Sequence, residues 1–419
     1  MRQTSIALFP RYSSRSNLLA ALALIAALAA ACGGGSGPTE VPAGPHPIVV
    51  VDLEGVRADR LGSYGDGGGT SPNIDALAAE SVRFEWAFCQ APDPDPSLAS
   101  IFTGLYPTTH GLARQGDDLL EDAVTLAEIL SEHGYTTAAF TSSAGAGSGA
   151  HLFQGFEHFS TGGERLGQVG SKAIEWMKAN ASKDFLLVVR SADAAVAGEG
   201  TPAGAYDDGI RSVDGWIGEF MTEVRNLGLD ERATIVLLST HGEDVGLHPE
   251  AVPRPLYTSV TRVPLMIRLP GGIKAGGVPS IVETLDLMPT LLELADVPEP
   301  PGLQGASLAP LIRGLASPPF VAFGESPHRG GERFVAIDDY HLILNAVSGQ
   351  PELYSLFNDP NEQTDLSSDE GEMDRVDELI GHLDAWEKMV GAASLDPEKR
   401  TEDLDEEALE QLRSLGYIQ

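Results

Sequence analysis

The sequence predicts an α/β protein, a layered sandwich around a mostly parallel central sheet, followed by a small C-terminal antiparallel-sheet subdomain. Three observations carry this. From Pro47 onward, short β-rich runs alternate with helix-length segments, the mark of parallel strands joined by helical crossovers. Near residue 315 the pattern changes to closely spaced short strands with no long helix between them. The chain has 419 residues, 42% of them hydrophobic, enough for one large core with a smaller one beside it.

In order, "IVVVDL" (48–53) reads as a buried strand, "SPNIDALAAES" (71–81) as a helix opened by Ser-Pro, and "VTLAEILSEHG" (124–134) as a helix stopped by Gly. "YTTAAFT" (135–141) and "DFLLVVRSAD" (184–193) are further strands, and "SKAIEWMKANA" and "DDGIRSVDGWIGEFMTEVRNLG" carry apolar residues at helical spacing. "ATIVLLSTHGED" (233–244) is an apolar strand entering a polar loop, and "SIVETLDLMPTLLELADV" (280–297) reads as helical. "FVAFGE", "RFVAID", "YHLILNA" and "PELYSLF" make the small sheet, and two acidic helical segments follow at 372–393 and 403–415. In open sheets of this type ligands collect beyond the strand ends, which directs attention to the loops after Asp52 and Ser239.

The first 31 residues differ from the rest. Arg2, Arg11 and Arg15 precede the apolar run "LLAALALIAALAAA", too short to span a bilayer but suited to a secretory signal. Ala29 to Ala31 before Cys32 resemble a bacterial lipoprotein processing box. The expected organisation is a signal over 1–31, a lipidated Gly/Pro-rich tether over 32–46, a main domain over 47–315, the small sheet over 316–360 and an acidic helical tail over 361–419. The protein is then exported and held in the cell envelope by a lipid on Cys32, the outer membrane being preferred. Loss of the three arginines takes the formal charge from −34 to about −37, which excludes nucleic acid as a partner. Cys89 is the only cysteine after Cys32, so neither an internal disulfide nor a zinc knuckle is expected.

"VRADRLGSYGDGGGTSPNIDALAAESVRFEWAF", "PSLASIFTGLYPTTHGL", "STHGEDVG", "TRVPLMIRLPG" and "LDLMPTLLELADVPEPPGLQGASLAPLI" resemble, in order and spacing, the sulfatases of the alkaline phosphatase-like superfamily. The resemblance runs from about residue 47 to the C-terminus. It implies a divalent cation, usually calcium, at the strand ends, a formylglycine nucleophile made from Cys or Ser, and basic side chains that stabilise the sulfate.

Residue by residue, that machinery is altered. Alignment of "PSLASIFTG" puts Pro94 at the nucleophile position, where no formylglycine can be made, and Leu98 where the family has Arg or His. Cys89 lacks the modification signal and reads as a buried cysteine at a strand end. Glu54 and Gly55 stand at the two metal-binding aspartates, Thr240 and His241 at the later ligand pair, and Asp52 is a substitute ligand. Calcium takes six to eight oxygens, so this set predicts no tight binding. Where the family has histidines, "RSADAA" has Arg190, Asp193 and Ala195; a further basic position reads Arg254, next to Pro255. His110 and His248 remain near the relevant loops. Arg190 and Arg254 suggest fixed charge for holding an anion.

The expectation is a catalytically silent sulfatase-fold lipoprotein whose former cleft binds an anionic ligand or a protein partner. The alternative is an active sulfuric- or phosphoric-ester hydrolase with a rebuilt metal site on Asp52, Glu54 and His241 and water as nucleophile. A phosphoryl transferase would need Ser or Thr where Pro94 stands.

Overall fold

The computed structural model describes residues 44–142, 151–161, 165–195, 203–245, 247–248, 256–272, 276–316, 320–328, 331–401 and 404–417. Cys32 with the expected signal and most of the tether, and Arg254 with its neighbours, lie outside them.

Eight strands form the central sheet: β1 (Ile48–Leu53), β2 (Val82–Phe88), β3 (Thr136–Thr141), β4 (His158–Thr161), β5 (Phe185–Ser191), β6 (Thr234–Leu238), β7 (Arg262–Arg268) and β8 (Gly277–Glu283). Their order is β4-β3-β5-β1-β6-β7-β2-β8, and only β7 runs against the others. β1 lies between β5 and β6, so the ends of these three strands open side by side.

Alternation along each buried strand feeds two cores. Ile48 and Val50 of β1, with Leu186, Val188, Val236 and Leu238, pack under helices α2 (Pro94–Thr103), α3 (Leu126–Glu132) and α6 (Leu287–Ala295). Val49, Val51 and Leu53 face the opposite way, under α1 (Pro72–Ala78), α4 (Leu166–Asn180) and α5 (Ala203–Asn226). Each helix begins where local chemistry allows it. Pro72 and Pro94 sit in first turns, and Thr125 closes a capping box with Glu128.

One expectation is corrected. Residues 280–283 are not helical: they belong to edge strand β8, which passes through a short 3-10 turn at Thr284–Asp286 directly into α6. β7 is a central strand despite Pro264. The β2–β7 register shifts between Phe84 and Ala87, opposite that residue, so the missing N–H falls at an irregularity in the ladder.

The second sheet is β12-β11-β10-β9, fully antiparallel: β9 (Val321–Ser326), β10 (Glu332–Ile337), β11 (Tyr340–Asn345) and β12 (Pro351–Ser355). Helix α7 (Met373–Ala392) covers it, with Trp386 fully buried and stacked on Phe323 at 5.4 Å. Tyr106 and Leu285 of the larger sheet's connections join the same core, so the acidic segment packs as part of the fold. The hydroxyls of Tyr106 and Tyr417 both donate to Glu283, fastening the C-terminal segment to the end of β8. Among the described residues no helix is long and apolar enough to cross a membrane.

Candidate functional site

The resemblance points to the ends of β1, β5 and β6 and the start of α2, and the backbone brings these together. Asp52 and Arg190 are register neighbours on parallel strands. By strand alternation both point to the face covered by α2.

There Arg190 is fully buried among three carboxylates. Its Nε lies 3.2 Å from Asp52 Oδ2 and 3.0 Å from Glu54 Oε2, and Nη1 donates to Asp95 Oδ1 at 3.0 Å. The Nε contacts are charge contacts without hydrogen-bond angles. Asp52 Oδ2, Glu54 Oε2, and Arg190 Nε and Nη2 are therefore buried without a hydrogen-bond partner. Burial works against the charged guanidinium, but Glu54, Asp52 and Asp95 together raise its pKa above the usual value. Burial pushes Asp52 up to about 6, opposed by Arg190 and helped by Glu54; Asp95 is also raised, chiefly by burial.

The expectation for Arg190 is an anion-holding charge. Its charge is matched inside the protein instead of being offered to an anionic ligand. Asp95, which the motif comparison passed over, is the third acid. It sits in the first turn of α2 between Pro94 and Pro96, and Gln115 braces it by donating to Oδ2 at 2.7 Å.

The residues do not fit the family's divalent cation. The space between the carboxylates contains a guanidinium, and among the described residues no group of three His, Cys, Asp or Glu side chains is placed to hold a metal ion. Gly55, at the second aspartate position, has φ +84°, and a Cβ there would stand 2.8 Å from the Cα and Cβ of Ala195. Positions 55 and 195 are thus in contact, and the close approach leaves no room for a side chain at 55.

The loop after β6 is stitched to both neighbours. The Thr240 amide donates to Asp52 Oδ1 at 3.0 Å, and its carbonyl accepts from Ser97 Oγ at 2.6 Å. The His241 carbonyl accepts from Gly55 N and Ser239 Oγ. Its ring, nearly buried, lies 3.7 Å from Glu243 Oε1 and 3.4 Å from Thr240 Oγ1. Pro94 is the first residue of α2, with a buried ring on a backbone suited to a helix start. Leu98 lies in the apolar core, and Ser97 is occupied by Thr240.

The remaining candidates are structural in their contacts. His110 is fully buried, accepts from Leu112 N and meets Ser100 Oγ at 3.1 Å; burial pushes its pKa down to about 3. His248 pairs with Asp244 at 2.5 Å and stacks on Tyr257 at 4.0 Å. Asp193 accepts from Leu166 N, at the start of α4. Cys89 follows β2, fully buried, its thiol pushed up to about 12 by burial, as expected of an inert core cysteine.

Comparison with known proteins completes the picture. The family model described as Sulfatase matches residues 46–297, and that described as N-sulphoglucosamine sulphohydrolase, C-terminal, matches 252–389. An ulvan-active sulfatase of Formosa agariphila is 26% identical over 334 residues, covering 64% of this chain and 65% of that protein. Arylsulfatase K of Rattus norvegicus is 28% identical over 176 residues, covering 37% of this chain and 30% of its own length. The chain thus spans less than two thirds of either relative. A solved 2-O GAG sulfatase shares the fold, with a TM-score of 0.71 at 20% identity over 87% of this chain and 96% of that one. With the fold and more than half of its length matched, the chain belongs to the sulfatase family.

Proposed function

We propose that this chain is a non-catalytic member of the sulfatase family, one that binds a partner at the former active-site face instead of turning over sulfate esters. The observation that carries the reading is Pro94: a buried pyrrolidine heads α2 where the resemblance places the nucleophile. It has no heteroatom with which to attack sulfur or phosphorus. The substitutions around it support the same reading. Leu98 belongs to the apolar core, Gly55 and Ala195 close over the space of two functional side chains, and Ser97 is bonded to Thr240. The scaffold is kept while the groups that would do chemistry are absorbed into packing.

With Arg190 matched by three acids, an anionic ligand would have to be met by other groups; a protein partner requires no such charge. We also propose, from Arg2, Arg11, Arg15, the apolar run and Cys32, that the protein is exported and lipid-anchored. Radiolabelled palmitate should enter the wild type and not Cys32→Ala.

The function is tested by assaying purified protein from residue 47 onward against 4-nitrophenyl sulfate, phosphate and phenylphosphonate. The expected rate is that of a buffer blank for all three. Saturable turnover abolished in Glu54→Ala would establish the alternative, an active ester hydrolase with a rebuilt site.

A further inference from the structure

We infer that Arg190 is a built-in cation that takes the place of a divalent metal ion among Asp52, Glu54 and Asp95, so that these acids are neutralised by the chain itself. The inference goes beyond the loss of catalysis and does not depend on it.

Three carboxylates from three segments converge on one guanidinium: Asp52 in β1, Glu54 just after it, and Asp95 in the first turn of α2. All three side chains are nearly or fully buried. A cluster with three potential negative charges in such surroundings needs positive charge inside it. One guanidinium supplies it, but incompletely. Asp52 Oδ2 and Glu54 Oε2 accept no hydrogen bond, and Arg190 Nη2 donates none. A guanidinium built to match three carboxylates would be satisfied by directed, forked bonds. Instead, two oxygens of different acids lie within charge contact of one nitrogen without hydrogen-bond angles, so the guanidinium acts on them as a charge and not as a directed donor. Arg190, reaching in from β5, occupies the space between the acids.

Removing the side chain should therefore create calcium dependence. In Arg190→Ala the three carboxylates lose their counter-charge, and their oxygens face a space that a divalent cation and its waters would fill. Thermal unfolding of the full-length protein is measured in EGTA and in millimolar CaCl2, with bound calcium counted by equilibrium dialysis. Wild type and Arg190→Lys should melt at the same temperature in both buffers and retain no stoichiometric calcium. Arg190→Ala should melt lower than wild type in EGTA, rise on the order of 4 °C in calcium, and retain about one ion per chain.

The inference is overturned if wild type holds stoichiometric calcium, or if folded Arg190→Ala is indifferent to it. Should Arg190→Ala not fold in either buffer, the triple variant Arg190→Met with Asp52→Asn and Glu54→Gln decides. It should fold without calcium because the charges needing compensation are gone, and its failure to fold would overturn the electrostatic account. Calcium binding by wild type without turnover would sink this inference and leave the non-catalytic reading standing; metal-free turnover would do the reverse.

Discussion

Gly55 shows how a single position closes the site. With φ +84° and no room for a Cβ beside Ala195, it cannot accept an acidic side chain without local rebuilding. Gly55→Ala should cost about 1–3 kcal/mol of unfolding free energy in urea, from positive φ and the close contact together. His110 supplies a pH signature. Its folded-state pKa lies near 3, against an ordinary value of 6.5, so the unfolded chain takes up a proton in this window that the native one refuses. Stability is then lost as pH falls below 6.5, by roughly 1.4 kcal/mol per unit from this group once it is well below that value. His110→Asn, which keeps an acceptor near Leu112 N, should show a pH slope between 6.5 and 4.5 shallower by nearly one proton. Parallel slopes for the two proteins would refute the assignment. Pro94, Leu98, Gly55 and Glu54 were legible in the sequence because each stands at a motif position. Asp95 and the role of Arg190 were not: their meeting depends on the β1–β5 register and the approach of α2, which no local pattern encodes.

At the scale of elements, the start of α2 and the loop after β6 act as one unit through Ser97, whose hydroxyl donates to the Thr240 carbonyl while the Thr240 amide donates to Asp52. Ser97→Ala leaves a buried carbonyl short of a partner and should cost about 1–3 kcal/mol. Hydrogen exchange should also quicken in residues 239–245 if the bond positions the loop. Most strands and helices could be read from alternation and helical spacing, including all four strands of the small sheet. β8 escaped because its short, proline-containing sequence runs into α6 without a breaking turn residue, so two elements read as one. Central β7 escaped because Pro264 argues against a strand unless the register shift in β2 is known.

For the whole molecule, the acidic C-terminal segment looked separable in the sequence, since charge dominates its composition. Its apolar residues decide otherwise. Trp386 stacks on Phe323 and meets Tyr106 edge-on at 5.2 Å, while Tyr417 reaches Glu283. Trp386→Ala should lower stability by about 3–5 kcal/mol, and calorimetry should still show one transition in the wild type because Tyr106 and Leu285 tie the two sheets. Two separate transitions would mean that the small sheet and its helix fold independently.

The family fold thus surrounds a centre in which Pro94 heads α2 and Arg190 lies among three acids, the arrangement on which the non-catalytic proposal rests. The most direct test is one titration: hydrolysis of 4-nitrophenyl sulfate by the wild-type protein as calcium is raised from chelated to millimolar concentrations. A rate flat at the blank across the whole range is predicted; a rate that climbs with calcium and saturates would contradict the account.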